Sequence, residues 1–206
     1  CRAERIKTLH KKGNSTIFKR CFTDSAKRVG TMTDFVSDSN DLSDEPLSAQ
    51  DIQQIVSKVV EVHHQEKGAS VNRNGESLLG RKVFAVAIFS DRKFATRERE
   101  LRERIVSLFI EANKSLLRDP LCMVGSWYSD DWQESVLEIS VIVPDRDLAI
   151  KLGREYNQFS IYDLLKREEI ELGGDGILPR ELESLSEAER IERLRSEIEK
   201  VRGENE

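Results

Sequence analysis

The sequence predicts an α+β fold, a split βαβ sandwich (βαββαβ, ferredoxin-like) with an extra N-terminal helix and a C-terminal helical arm. Three observations predict it. Residues 83–164 alternate strand-like and helix-like hydrophobic periods without a break, in the order strand, helix, strand, strand, helix, strand. The first strand, Lys82 to Phe89, is apolar on both alternating faces, and the third, Val136 to Val143, has one continuous apolar face. Strands one and three are the inner pair in this pattern and need that burial. Both helices are amphipathic, so each has one stripe to lay against the same side of the sheet.

Each element has a local cause. Ser48 and Asp51 stand at capping-box spacing before Ile52, Ile55, Val56, Val59 and Val60, which predicts an amphipathic helix ending near Gly68. His63 and His64 fall in its last turn, where an imidazole favours the carbonyl end. Asn74-Gly75 and Gly80 mark residues 69–81 as a loop with a tight turn, or a short hairpin. Ser90 to Lys93 break the first strand, and Thr96 is placed to cap a helix with Leu101, Ile105, Leu108, Phe109, Ala112 and Leu116 as its stripe. Asp119-Pro120 stops that helix.

Cys122 to Tyr128 is the second strand and Ser129-Asp130-Asp131 a polar turn. The third strand puts Leu137, Ile139, Val141 and Val143 on one face and Glu138, Ser140 and Ile142 on the other. Asp145 caps the second helix, which carries Leu148, Ala149, Leu152 and Tyr156; Phe159 to Leu164 is the fourth strand, and Ile170 to Leu172 a short return strand before Gly173-Gly174-Asp175-Gly176. The helix at 48–66 is expected to cover the face of the first strand that the other two helices leave bare.

Composition divides the chain into a basic tail (1–31), an acidic Ser/Asp-rich linker (32–47), the α+β domain (48–176) and a charged C-terminal arm (177–206). Nine Lys and Arg against Glu4 and Asp24 give +7 over residues 1–31, and the whole-chain charge of -5 then leaves -12 for residues 32–206. An acidic body argues against dedicated nucleic-acid binding, for which only the tail has the composition. The chain begins with Cys1 and its first methionine is Met32, so the tail reads as part of something longer or as upstream sequence, with initiation at Met32. In the arm, Ile191, Leu194, Ile198 and Val201 keep the 3-4-3 spacing of a short coiled-coil seam. The seam over 185–201 either docks on its own domain or pairs with a second chain.

Three cysteines without a CxxC pair give no disulfide framework or zinc knuckle, and the phosphate-binding, dinucleotide-binding, nucleophile-elbow and HExxH motifs are all missing. No metal or cofactor is therefore expected. No apolar run approaches the roughly 18–20 residues of a bilayer span, so the expected setting is cytoplasmic, with no membrane partner.

One polar constellation remains. Glu138 and Ser140 occupy the strand face opposite the apolar stripe, and Asn157-Gln158-Phe159-Ser160 joins the second helix to the fourth strand. In the split pattern this turn approaches the end of strand one, with Ser90 and Arg92, so a carboxylate, amides, hydroxyls and a guanidinium converge. The plainer alternative is a hydrogen-bond cluster tying a helix end to the sheet. Glu138-Ile139-Ser140-Val141-Ile142-Val143, followed by a helix and Arg154-Glu155-Tyr156-Asn157-Gln158-Phe159-Ser160-Ile161-Tyr162, resembles small bacterial and phage proteins of unknown function over about residues 84–165. Their strand reads E-x-S, and their helix ends in an aromatic, Gly or Asn, Gln, any residue, then Ser or Ala. The Asn-Pro that they carry after strand one is missing here. The resemblance implies a fold more than an activity.

These features favour a non-enzymatic protein-interaction module. The alternatives are a small-ligand or nucleotide-processing enzyme with Glu138 as base and Gln158, Ser160 and Arg92 positioning substrate, and nucleic-acid binding through the basic tail.

Overall fold

The computed structural model describes residues 46–203. The predicted tail, its initiation site at Met32 and the linker up to residue 45 lie outside them. Within them the fold is α+β: five helices and one antiparallel, open, seven-stranded sheet.

Helix α1 (Ala49–Glu66) begins on the capping box that the sequence predicts, with Ser48 Oγ accepting from the Asp51 amide at 3.2 Å and Asp51 Oδ2 from the Ser48 amide at 2.8 Å. It stops at Lys67, whose φ of 59° turns the chain directly into β1 (Gly68–Asn72). β1 takes the place of the first part of the predicted loop, and the antiparallel bridge of Val71 to Ser77 across the turn matches the short-hairpin alternative. Its composition of Gly, Ala, Ser, Val and Asn gives no strand signal, and pairing with β4 (Cys122–Ser129) makes it one. The tight turn follows it, organised by Asn72 Oδ1, which accepts from the amides of Asn74 and Glu76.

β5 (Glu134–Val143) is the axis of the sheet. It pairs along its length with β4, near its C-terminal end with β2 (Phe84–Val86), and near its N-terminal end with β3 (Phe94–Thr96). β2 and β3 are thus two halves of one interrupted strand. The predicted strand to Phe89 is cut short at Val86, although Ile88 and Phe89 stay buried beneath a 3-10 turn at Ser90–Arg92. β6 (Ser160–Asp163) pairs with β2 on its other side, and β7 (Glu168–Glu171) closes that edge, giving the order β1-β4-β5-β2-β6-β7.

One face of the sheet carries the main core. Leu137, Ile139, Val141 and Val143 of β5 pack there with α1, α2 (Glu103–Ala112), α3 (Arg146–Glu155), the short α4 (Arg180–Glu183) and α5 (Glu187–Gly203). α1 therefore lies on the same side as the other helices, not on the bare face where the sequence placed it, because its apolar stripe packs against α2 and the β1 and β4 strands. The opposite face is covered only in part, by Leu78, Val83 and Leu164 over Met123 and Ile142. The rest of this open face keeps Gly125, Val136 and Ser140 buried and Trp127, Glu134 and Glu138 half-buried, and its exposed group is Trp132.

Two further local expectations change. Thr96 belongs to β3 and does not cap α2; the N-cap is Arg102, which makes no capping bond with its side chain. Leu101 and Leu116 are buried from outside α2, while Leu108 within it is 64% exposed, so the buried stripe is Val106, Phe109 and Ile110. Asp145 does cap α3, accepting from the Leu148 amide at 2.8 Å.

The arm docks on its own chain. Leu194 and Ile198 are buried in the main core, and Ile191 and Val201 pack against it. Arg193 pairs with Glu155 and Arg195 with Asp119, each at 2.5 Å. Of the two alternatives for the seam, docking on its own domain is the one these contacts match.

Candidate functional site

The predicted polar constellation divides among several partners. Glu138 and Ser140 are brought together: Ser140 Oγ donates to Glu138 Oε1 at 3.3 Å, and Lys93 Nζ stands 3.6 Å from Glu138 Oε2. Gly125, opposite Glu138 in the ladder, makes room for them; a Cβ there would lie 3.3 Å from Glu138 Cγ. Gln158 is buried but donates to the carbonyl of Tyr156 at 3.0 Å, finishing the end of α3. Ser160 donates to Glu169, and Arg92 pairs with Asp91 and Glu187. Ser90 begins the 3-10 turn.

Asn157, with φ of 53°, bonds Asp175 Oδ1 at 2.6 Å and the Ile177 carbonyl at 3.0 Å. The glycine loop at 173–176 spends its amides in the same place: those of Gly174 and Gly176 donate to the carbonyls of Gln158 and Asn157. The chains run so close that a Cβ on Gly174 would fall 2.4 Å from both oxygens. These amides hold the loop to the helix end.

What the open face gathers instead is aromatic. Residues facing each other across an antiparallel ladder share a face. Met123, Gly125 and Trp127 of β4 therefore lie with Val136, Glu138, Ser140 and Ile142 of β5, on the side away from the helices. Trp132, in the β4–β5 hairpin, places its ring 5.7 Å from that of Trp127 and 6.4 Å from that of Phe159, which precedes β6. β4 and β6 flank β5 and β2 on opposite sides, so this chain of three rings crosses the sheet. Trp132 is 54% exposed. The sequence carried a signal for it, since both tryptophans of the chain fall within six residues of one hairpin.

On the helix face the structure assembles a second polar cluster that sequence reasoning missed. His63 is 2% exposed, with Nδ1 2.9 Å from Ser126 Oγ and Nε2 3.3 Å from Ser135 Oγ and 3.4 Å from the Arg99 carbonyl. Ser135 donates its own proton to the Arg99 carbonyl at 3.1 Å. Nε2 thus faces two acceptors and carries the hydrogen, leaving Nδ1 to accept from Ser126. Burial pushes the pKa of His63 below its usual value; the Arg99 carbonyl opposes this and His64 adds to it. Ser126 and Ser135 are themselves buried, so the cluster ties α1 to β4, β5 and the segment before α2. His64 bonds the Leu101 carbonyl beside an open depression lined by Glu98, Glu100, Leu101, Arg102 and Glu103.

Cys122 is fully buried, and desolvation pushes its thiol well above the usual range, in keeping with an inert core residue. Among the described residues no group of three or more His, Cys, Asp or Glu is placed to hold a metal ion, and no helix is long and apolar enough to cross a membrane. Comparison with protein-family models, curated proteins and solved structures finds no match to this chain.

Proposed function

We propose that this chain is a non-enzymatic protein-interaction module, built on a split βαβ sandwich, that engages its partner through the open face of the sheet. The sandwich reading is supported by the spatial order β4-β5-β2-β6, which puts the first and third strands of the predicted set inside. The observation that carries the functional reading is Trp132. A half-exposed indole held between Trp127 and Phe159 is a rigid, wide apolar platform at low entropic cost, the kind of group that dominates binding energy at interfaces.

Affinity capture tests this, with the intact chain and two variants that each remove one exposed apolar side chain. Trp132→Ala alters the open face, and Leu108→Ser alters α2 in the helix layer. A protein recovered by the parent and by Leu108→Ser but not by Trp132→Ala supports the reading. Recovery that is indifferent to Trp132 overturns it.

A further inference from the structure

We infer that the partner segment is an extended peptide bearing arginine, an inference that rests on the open face being the interaction surface. The ladder carries that face from β5 to β7: Ile142 stands opposite Ala85, Ala85 opposite Tyr162, and Tyr162 opposite Glu169. By the same alternation Glu134 and Glu138 of β5, and Glu169 and Glu171 of β7, share the face with the aromatic rings. Glu171 is opposite Ser160, the residue after Phe159, so the acidic edge begins where the row of rings ends. Lys93 pairs with Glu138, whose side chain is only 15% exposed, and the Ser160 hydroxyl bonds Glu169, so the exposed carboxylates that this face presents are Glu169 and Glu171 of β7.

A guanidinium is the group that suits both features. Its flat face stacks on an indole, and its N–H fork pairs with a carboxylate. β7 supplies the reason for an extended partner. It is an edge strand reading Glu168-Glu169-Ile170-Glu171, exposed at its three glutamates, and an edge strand offers backbone groups to an added strand. Like charges directly opposite destabilise a strand pair, so these glutamates disfavour a second copy and favour a basic strand.

Both tryptophans of the chain lie on this face, so intrinsic emission of the intact protein reports on it directly. The probes are three peptides of alternating valine with arginine, glutamine or glutamate. The arginine peptide is expected to change the emission and to bind on the order of tenfold more tightly than the glutamine one, with affinity that falls as salt is raised. Followed by anisotropy of the labelled arginine peptide, Trp132→Ala is expected to abolish binding. Glu169→Gln combined with Glu171→Gln is expected to weaken it about tenfold, with circular dichroism confirming that both variants fold.

A glutamine peptide that binds as tightly as the arginine one overturns the arginine partner but leaves the open-face reading standing. Arginine-peptide binding untouched by Trp132→Ala overturns both. Three further outcomes overturn a separate basic partner: no binding by any peptide, an emission change on adding salt alone that reports the chain's own cations on the face, or a dimer that Trp132→Ala dissolves.

Discussion

His63 shows how one side chain sets a condition on the whole fold. In the unfolded chain it titrates near its ordinary value of about 6.5, and in the fold burial lowers that value. The unfolded state therefore binds more protons as pH falls through this window, so the contribution of His63 is fully present above about 6.5 and is lost as pH falls toward the lower folded-state value. Protonation puts a second hydrogen on the ring at Nδ1, where Ser126 now donates. The urea midpoint is expected to fall between about pH 7 and pH 5 in the parent, and to fall less in His63→Gln. Equal slopes would show that the loss comes from other groups.

Gln158 makes the complementary point. Its burial suits the position at the end of α3, where carbonyls lack helical donors, but its amide serves Tyr156 and not Glu138. Gln158→Ala is expected to cost roughly 1–3 kcal/mol of stability and to leave peptide binding at the open face unchanged, as paired denaturation and binding curves would show. The residue types at the candidate site were legible in the sequence; their partners were not. A side chain's partner depends on which backbone passes within about 3 Å, and for Asn157 and Gln158 that backbone is their own helix end and the glycine loop.

At the scale of elements, legibility followed the strength of the local signal. α1 and α3 were readable at their starts, because a side-chain cap fixes a helix start whatever the tertiary setting. β1 was not, since only its pairing with β4 makes a strand of it. The start of α2 misled because Thr96 has capping chemistry but is held in the ladder opposite Ser135.

The interruption between β2 and β3 was half legible. Its polar turn was visible, but its occupant, more than ninety residues later, was not. Arg190 of α5 is 4% exposed and sends its guanidinium to the carbonyls of Ile88 and Leu182 and to Asp91. It also lies 6.0 Å from the ring centre of Phe89. Arg190→Ala strands those acceptors, at an expected cost of about 2–3 kcal/mol. Hydrogen exchange should show the loss first in the amides of α5. Unchanged protection there would mean that the apolar seam alone holds the helix.

For the molecule as a whole, the question is whether the C-terminal helix is an appendage or part of the cooperative unit. The split into a domain and an arm follows composition, since the arm's many charges read as a solvated surface. Two of those charges are spent on the body, Arg92 reaching Glu187 and Lys151 reaching Glu197, and the hydrogen bonds from Lys151 and from Lys200 of the same helix hold the Glu197 carboxyl down to about 2. Exposed pairs of this kind contribute little each, so the decisive contact is Leu194, 1% exposed within the same core as Leu137 and Ile139. Leu194→Ala leaves a void against the helix layer and is expected to cost about 2–5 kcal/mol, the range for buried leucines. Both tryptophans lie on the other side of the sheet, whereas far-UV circular dichroism is dominated by the helices. If α5 belongs to the unit, unfolding of the variant followed by tryptophan emission and by circular dichroism shifts to the same lower urea midpoint in a single transition. An appendage gives a different result: the dichroism loses amplitude in an early phase while the emission midpoint stays where it was in the parent. Parent and variant curves by the two probes therefore decide between a docked arm and a free one without cutting the chain, which would uncover the core that Leu182, Leu194 and Ile198 close.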